Sequence, residues 1–171
     1  IIRDVYPSAD AHVNSIRGIR WEGNRMKKSV EIDEDMPSNI WISREDADSR
    51  RITIKHEIND IIDANGFETV KLSQWRLRDQ IKLFSQAEKI ASPHGAGLIN
   101  AIFSENMQIL ELFGSFVTPL YYQICSGLGH DYHFLLCGGV PIEGVNKQKQ
   151  SARDGEDIYV NPSLLERAIE K

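Results

Sequence analysis

The sequence predicts a doubly wound α/β fold, with helices covering both faces of a parallel sheet, and three observations predict it. Short β-forming runs alternate along the chain with stretches whose apolar residues recur every three or four positions. Residues 108–113 (QILELF) form an almost unbroken apolar run, the composition of a strand covered on both sides. Residues 89–100 (KIASPHGAGLIN) pass from such a run through a Pro-His-Gly-Ala-Gly turn directly into a helical pattern, the strand-to-helix junction of a βαβ unit. With 171 residues, 41% of them apolar and 26% charged, the chain can build one domain with a hydrophobic core.

The elements follow in order. Ser8 is placed to cap a helix carrying Val13, Ile16, Ile19 and Met26, weakened by Gly18 and Gly23 and followed by an acidic connector over residues 31–35. Residues 1–38 are therefore expected to form a helical arm that packs on the sheet or reaches toward a neighbour, and residues 39–171 the domain proper. Residues 39–43 (NIWIS) read as a strand, and residues 44–51 as a polar loop of both charge signs. Ile54, Ile58, Ile61 and Ile62 mark a helix that Gly66 stops at C′. A strand over 67–72, a helix carrying Leu77, Ile81 and Phe84, and a strand over 89–91 come next; the glycine turn then launches a helix through Phe103. After the strand at 108–113, a helix over 118–128 is closed by Gly127 and Gly129 and leads to a strand over 131–137. Residues 138–156, rich in Gly, Lys and Gln, read as a loop. In the last helix Asn161 is the cap, Pro162 the first position, and Leu164, Leu165 and Ile169 the apolar stripe.

Composition narrows the function classes. A net charge of −5 argues against a nucleic-acid or anionic-membrane surface as the main partner. No run approaches the ~20 apolar residues that span a bilayer. The chain starts at Ile1 rather than Met, so a piece of a longer protein is expected. Cys125 and Cys137 have no CxxC spacing and no clustered histidines, which favours two reduced thiols over a disulfide or a zinc site. His12, His56, His130 and His133 lack partner spacing for a metal or a nucleophile. Ser43, Ser92 and Ser104 lack a Gly-x-Ser-x-Gly elbow.

Ligands of a doubly wound sheet sit at the carboxyl ends of its strands. Two loops there carry suitable chemistry. In the first, Gly95 and Gly97 let the backbone come close to a ligand, and the leading amides of the following helix, at Gly95, Ala96 and Gly97, suit a phosphate or carboxylate. His94, at the mouth of the turn, is a candidate extra donor; a tight turn with a packed histidine is the alternative. In the second, Ser43-Arg44 ends a strand and Arg50-Arg51 follows. A guanidinium at a strand end offers a planar fork of donors to phosphate oxygens. Glu45, Asp46 and Asp48 lie among these arginines, so a self-neutralised loop is the alternative there, and one of Arg50 and Arg51 is expected to face the site. Glu111, between Leu110 and Leu112, is costly to bury unless it is paired. It is expected to bond a sugar hydroxyl, to hold an arginine, or to turn to solvent at the strand end.

Several segments together resemble glycosyltransferase family 61. These are Ile40-Trp41-Ile42-Ser43-Arg44 with Arg50-Arg51-Ile52, Gly66-Phe67-Glu68-Thr69-Val70, and Leu83 to Glu88 (LFSQAE). The hallmark Pro93-His94-Gly95-Ala96-Gly97-Leu98 with Asn100, and then Leu110-Glu111-Leu112-Phe113, complete the set. The resemblance runs from about Ile40 to Lys171, with one departure: Ile54-Lys55-His56-Glu57 stands where the family has an Asn-Glu-type helix start. The group includes O-GlcNAc transferases of EGF domains, plant xylan transferases and microbial members linked to capsular polysaccharide. The resemblance implies a Rossmann-like domain forming the C-terminal half of a GT-B enzyme, and inverting transfer from a UDP-sugar to an acceptor hydroxyl. It implies Arg44 and His94 as catalytic residues, and a donor site of Ser43, Arg44, Arg51, Pro93, His94, Gly95, Ala96, Gly97, Leu98, Asn100 and Glu111. No metal and no cofactor beyond the UDP-sugar substrate is implied; the acceptor domain and the general base belong to another part of the protein. The location implied is cytoplasmic, at the inner membrane face, for a microbial protein, or the secretory lumen for a eukaryotic one. A non-catalytic nucleotide-binding regulatory module is the alternative. An NAD oxidoreductase lacks its third glycine and its ribose-binding acid.

Overall fold

The computed structural model describes residues 16–33, 35–142 and 156–170. Ser8, His12 and Val13 lie outside them, and with them the predicted N-terminal cap. Five strands form one parallel sheet: β1 (Asn39–Ile42), β2 (Glu68–Val70), β3 (Lys89–Pro93), β4 (Gln108–Phe113) and β5 (Asp131–Leu136), in the order β2-β1-β3-β4-β5. The helices are α1 (Ile16–Lys28), α2 (Lys55–Ala64), α3 (Leu77–Gln86), α4 (Leu120–Leu128) and α5 (Pro162–Ile169).

Alternation along the strands builds two cores. Ile40, Ile42, Ile90 and Ile109 point to one face, against Ile81 and Phe84 of α3 and Ile124 and Leu128 of α4. Trp41, Ala91, Leu110 and Leu112 point to the other, against Ile58 and Ile62 of α2 and Leu165 and Ile169 of α5. Covering both faces of a parallel sheet in this way makes an α/β fold compatible with a Rossmann-like one. Ile16, Ile19 and Met26 of α1 pack onto the first core, so the described part of the arm lies on the domain. Gly23 makes that approach possible, because a Cβ there would lie 2.2 Å from the Ile102 carbonyl oxygen.

Most predicted elements are present, with shifted ends. Gly66 adopts φ 72 just past the α2 C-cap, the left-handed position that favours glycine. Asn161 accepts from the Leu164 amide and Pro162 opens α5. Ile54, at the N-cap of α2, makes no side-chain cap bond, consistent with the departure noted at that position.

Two expectations are corrected. The helix after the glycine turn is a 3₁₀ segment, Ala96–Phe103. Its burial follows a threefold period: Leu98 with Ala101, and Asn100 with Phe103, are buried, while Ile99 is exposed and Ile102 half-buried. The loop predicted over 138–156 contains strand at both described ends. β6 (Gly138–Pro141) pairs antiparallel with β7 (Glu156–Tyr159), and Ile158 is fully buried in the second core. Gly138, Gly139 and Pro141 weaken the local strand signal in β6, and pairing with a distant segment supplies what the local sequence lacks. Among the described residues no helix is long and apolar enough to cross a membrane.

Candidate anion-binding cleft between β1 and β3

The chain runs from β1 outward to β2 and then returns to β3 on the other side of β1. Loops leaving β1 and β3 therefore diverge and open a crevice at their carboxyl ends, the switch point of such sheets. A cleft of ≈ 220 Å³ lies here, with Ser43, Arg44, Asp46, Ser73, Gly95 and Gly97 in its walls. Arg44 and the glycine turn, distant in sequence, thus share one rim.

Their contact is close. Arg44 anchors on the Ser49 carbonyl through Nε and Nη2 at 3.4 and 3.3 Å. Its Nη1 lies over Gly95, where a Cβ would come within 2.3 Å of it. Gly95 has extended backbone (φ −178), so glycine is needed for space rather than for conformation. At Gly97 a Cβ would meet Leu72 Cδ1 at 2.7 Å, so this glycine lets the turn settle on the first core. The Leu98 amide closes the first 3₁₀ turn on the Gly95 carbonyl at 3.2 Å, leaving the Ala96 and Gly97 amides ahead of the first bond of the segment.

Arg50 completes the rim. It holds φ 60, uncommon for a long side chain. Its amide donates to the Glu156 carbonyl at 2.8 Å and its Nη1 to the His94 carbonyl at 3.0 Å. Burial, and then the Arg50 guanidinium beside it, hold Arg44 below the usual arginine range, with Asp46 partly offsetting them. Two cations are thus kept together in a partly desolvated place.

Arg51 goes elsewhere. Its Nη2 and Nε meet Asp157 at 2.9 and 3.2 Å, and its amide donates to the same carboxylate at 2.9 Å, fastening this loop to β7. Arg51, the arginine of this pair that the resemblance placed in the donor site, is thus committed to Asp157, and Arg50 is the one that reaches the turn. Asp46, expected only as a neutraliser of the arginine loop, also accepts from the Ser73 hydroxyl in the cleft wall, and Ser73 carries no signal in the sequence.

His94 is 3% exposed, and its ring lies beneath the turn rather than at its mouth. It stacks on Phe113 (5.3 Å, 25°) and tilts against Tyr121 at 5.6 Å. Nδ1 meets Glu111 Oε1 at 2.5 Å, and the Tyr132 hydroxyl donates to Oε2. Glu111 is 0% exposed, so of the expectations for it a strand-end carboxylate in solvent does not hold, and the group it holds is a histidine rather than an arginine. Asn100 turns toward α3, where its Nδ2 donates to Gln80 Oε1 at 2.8 Å. Leu98 is a core residue; Pro93 ends β3, and the Ser92 hydroxyl donates to the Pro93 carbonyl at 2.8 Å. The Ser43 amide continues the sheet onto the Val70 carbonyl at 2.9 Å, and its hydroxyl accepts from the Glu45 amide at 3.2 Å.

Cys125 and Cys137 are free thiols, each pushed up to about 12 by burial. Among the described residues no group of three or more His, Cys, Asp or Glu side chains could hold a metal ion.

A search of curated proteins finds no match. The sequence model of one family, Glycosyltransferase 61, matches residues 4–110, well over half of the chain. That span takes in α1 and both loops of the cleft, and ends one residue before Glu111. The chain belongs to the glycosyltransferase 61 family.

Proposed function

We propose that this chain is the donor-binding half of an inverting GT-B glycosyltransferase, taking a UDP-sugar and transferring its sugar to an acceptor hydroxyl in glycan or polysaccharide synthesis. The observation that carries the reading is Arg44 in the wall of the switch-point cleft beside the glycine turn, with the Arg50 guanidinium close behind it on the His94 carbonyl. Desolvation and mutual repulsion both disfavour two such cations, and a bound dianion offsets both terms. A diphosphate has this charge and a matching arrangement of oxygens.

In the reaction the acceptor oxygen attacks the anomeric carbon on the face opposite the diphosphate. The bond from that carbon to the phosphate oxygen breaks, its electron pair departs with UDP, and the acceptor proton passes to a base supplied by another part of the protein. Charge grows on the diphosphate as it leaves. Arg44, Arg50 and the amides of Ala96 and Gly97 lower the barrier to the extent that they hold that charge more tightly in the transition state than in the ground state. The His94 ring, buried under the turn, supports the same loop, and its backbone carbonyl accepts from Arg50 Nη1.

Calorimetric titration of the full chain with UDP, UDP-GlcNAc and NAD tests this. The expected result is binding of the uridine nucleotides but not NAD, weakened at least about tenfold, some 1.4 kcal/mol, in Arg44→Ala. Preference for NAD, or a UDP affinity indifferent to Arg44→Ala, contradicts it.

A further inference from the structure

Behind the turn lies a polar chain that the diphosphate contacts do not use. It runs across three strands, from Tyr132 on β5 through Glu111 on β4 to His94 at the end of β3. Glu111 sits in an otherwise apolar layer, between Ile109 and Phe113 on the face that also carries Cys125 and Tyr121. An apolar residue of similar size would usually serve a core as well as a buried carboxylate does. Stability alone therefore gives little reason for Glu111, whereas orienting an imidazole does. Tyr132 holds its proton well above the ordinary phenol range, through burial and then the hydrogen bond to Glu111, so its hydroxyl is the donor to the carboxylate. With one carboxylate oxygen accepting from Tyr132, the other accepts from His94 Nδ1–H.

Resting on the donor-site reading above, we propose that Tyr132 is a positioning residue. Its hydroxyl fixes the Glu111 carboxylate, and Glu111 fixes the His94 ring in the Nδ1–H form beneath the turn, so that the His94 carbonyl stays in place to hold Arg50 beside Arg44. Removing the hydroxyl leaves one buried carboxylate oxygen without its donor, so the carboxylate can turn and the ring loses its single orientation.

Full-length protein with Tyr132→Phe, Glu111→Gln, His94→Asn and the Tyr132→Phe/His94→Asn double change tests this by three measurements. They are the His94 ring ¹⁵N shifts, UDP affinity by calorimetry, and thermal midpoint. In the unmodified protein His94 gives one Nδ1–H species. Tyr132→Phe is expected to mix the ring forms and weaken UDP binding about tenfold, while adding nothing in the His94→Asn background, the non-additivity of groups acting in series. If Tyr132→Phe does not fold, Glu111→Gln takes its place: it keeps the shape of the chain but removes the charge, and is expected to change the His94 ring form and weaken UDP binding in the same way. A folded Tyr132→Phe (or Glu111→Gln in its place) with unchanged His94 shifts and unchanged UDP affinity overturns the proposal, as does an equal loss with and without His94. Arg44→Ala separates this failure from that of the donor site. If Arg44→Ala abolishes UDP binding while Tyr132→Phe leaves it intact, the positioning role alone falls. If the unmodified protein binds no UDP, the donor reading falls and takes this one with it.

Discussion

Arg44 and Gly95 show how one residue's chemistry depends on another's lack of a side chain. A Cβ at Gly95 would take the place now filled by Arg44 Nη1. Gly95→Ala is accordingly expected to displace the guanidinium and weaken UDP binding by about tenfold with little change in thermal midpoint. An unaltered affinity would separate Arg44 from the ligand. Gly97→Ala is expected to act differently, since its Cβ meets the packed apolar side chains of Leu72 and Ile42 rather than a guanidinium. It should cost about 1–3 kcal/mol, read as a lower urea midpoint. Arg51→Ala, whose guanidinium is committed to Asp157, is expected to leave UDP affinity within about twofold while Arg50→Ala reduces it by about tenfold. Parallel titrations of the two variants check this, and the reverse ranking would contradict the geometry. Arg44 was legible because it directly follows a strand. The choice of Arg51 over Arg50 for the donor site missed, since their opposite directions arise from the left-handed turn at Arg50, and nothing in the neighbouring residues announces it.

Elements with a strong local period were readable, and those held by distant partners were not. The isoleucines of α2 and the Asn161-Pro162 start of α5 mark their helices without help from the rest of the fold. Asn161→Ala should cost about 1 kcal/mol, measured by urea unfolding, and no loss would remove the cap from the account. The segment Ala96–Phe103 is short enough that periods of 3 and 3.6 place nearly the same residues inward, so its tighter winding becomes visible only through the half-burial of Ile102 beside the exposed Ile99. β6 and β7 pair across chain that separates them, and the Gly-Gly-Val-Pro of β6 offers little strand propensity of its own.

The whole molecule supplies what neither residue nor element contains, the reversal of strand order between β1 and β3. From it follows the shared rim of Arg44 and the glycine turn, while the separate parallel pairing of β4 with β5 sets Glu111 beside Phe134, two residues beyond Tyr132. The turn motif and the strand-end arginine were legible in sequence as ligand-facing chemistry; that His94 points beneath the turn was not, because its ring is claimed by Glu111 and Phe113 from other strands. The core also imposes a pH dependence. Folding raises Cys125, Cys137 and Tyr132 above their ordinary values, so above about pH 8.5 for thiols and 10 for phenols the unfolded chain binds fewer protons than the folded one. Stability is therefore full below that range and falls as pH rises through it. The urea midpoint under reducing conditions is expected to be lower at pH 10 than at pH 7, and an unchanged midpoint would mean that these groups are not shielded.

The most direct measurement is a crystal structure of the full protein bound to UDP. The diphosphate is expected between the ends of β1 and β3, within hydrogen-bond reach of Arg44 and of the Ala96 and Gly97 amides. UDP seated at any other edge of the sheet, with Arg44 still resting on Gly95 and untouched by phosphate, would contradict the account.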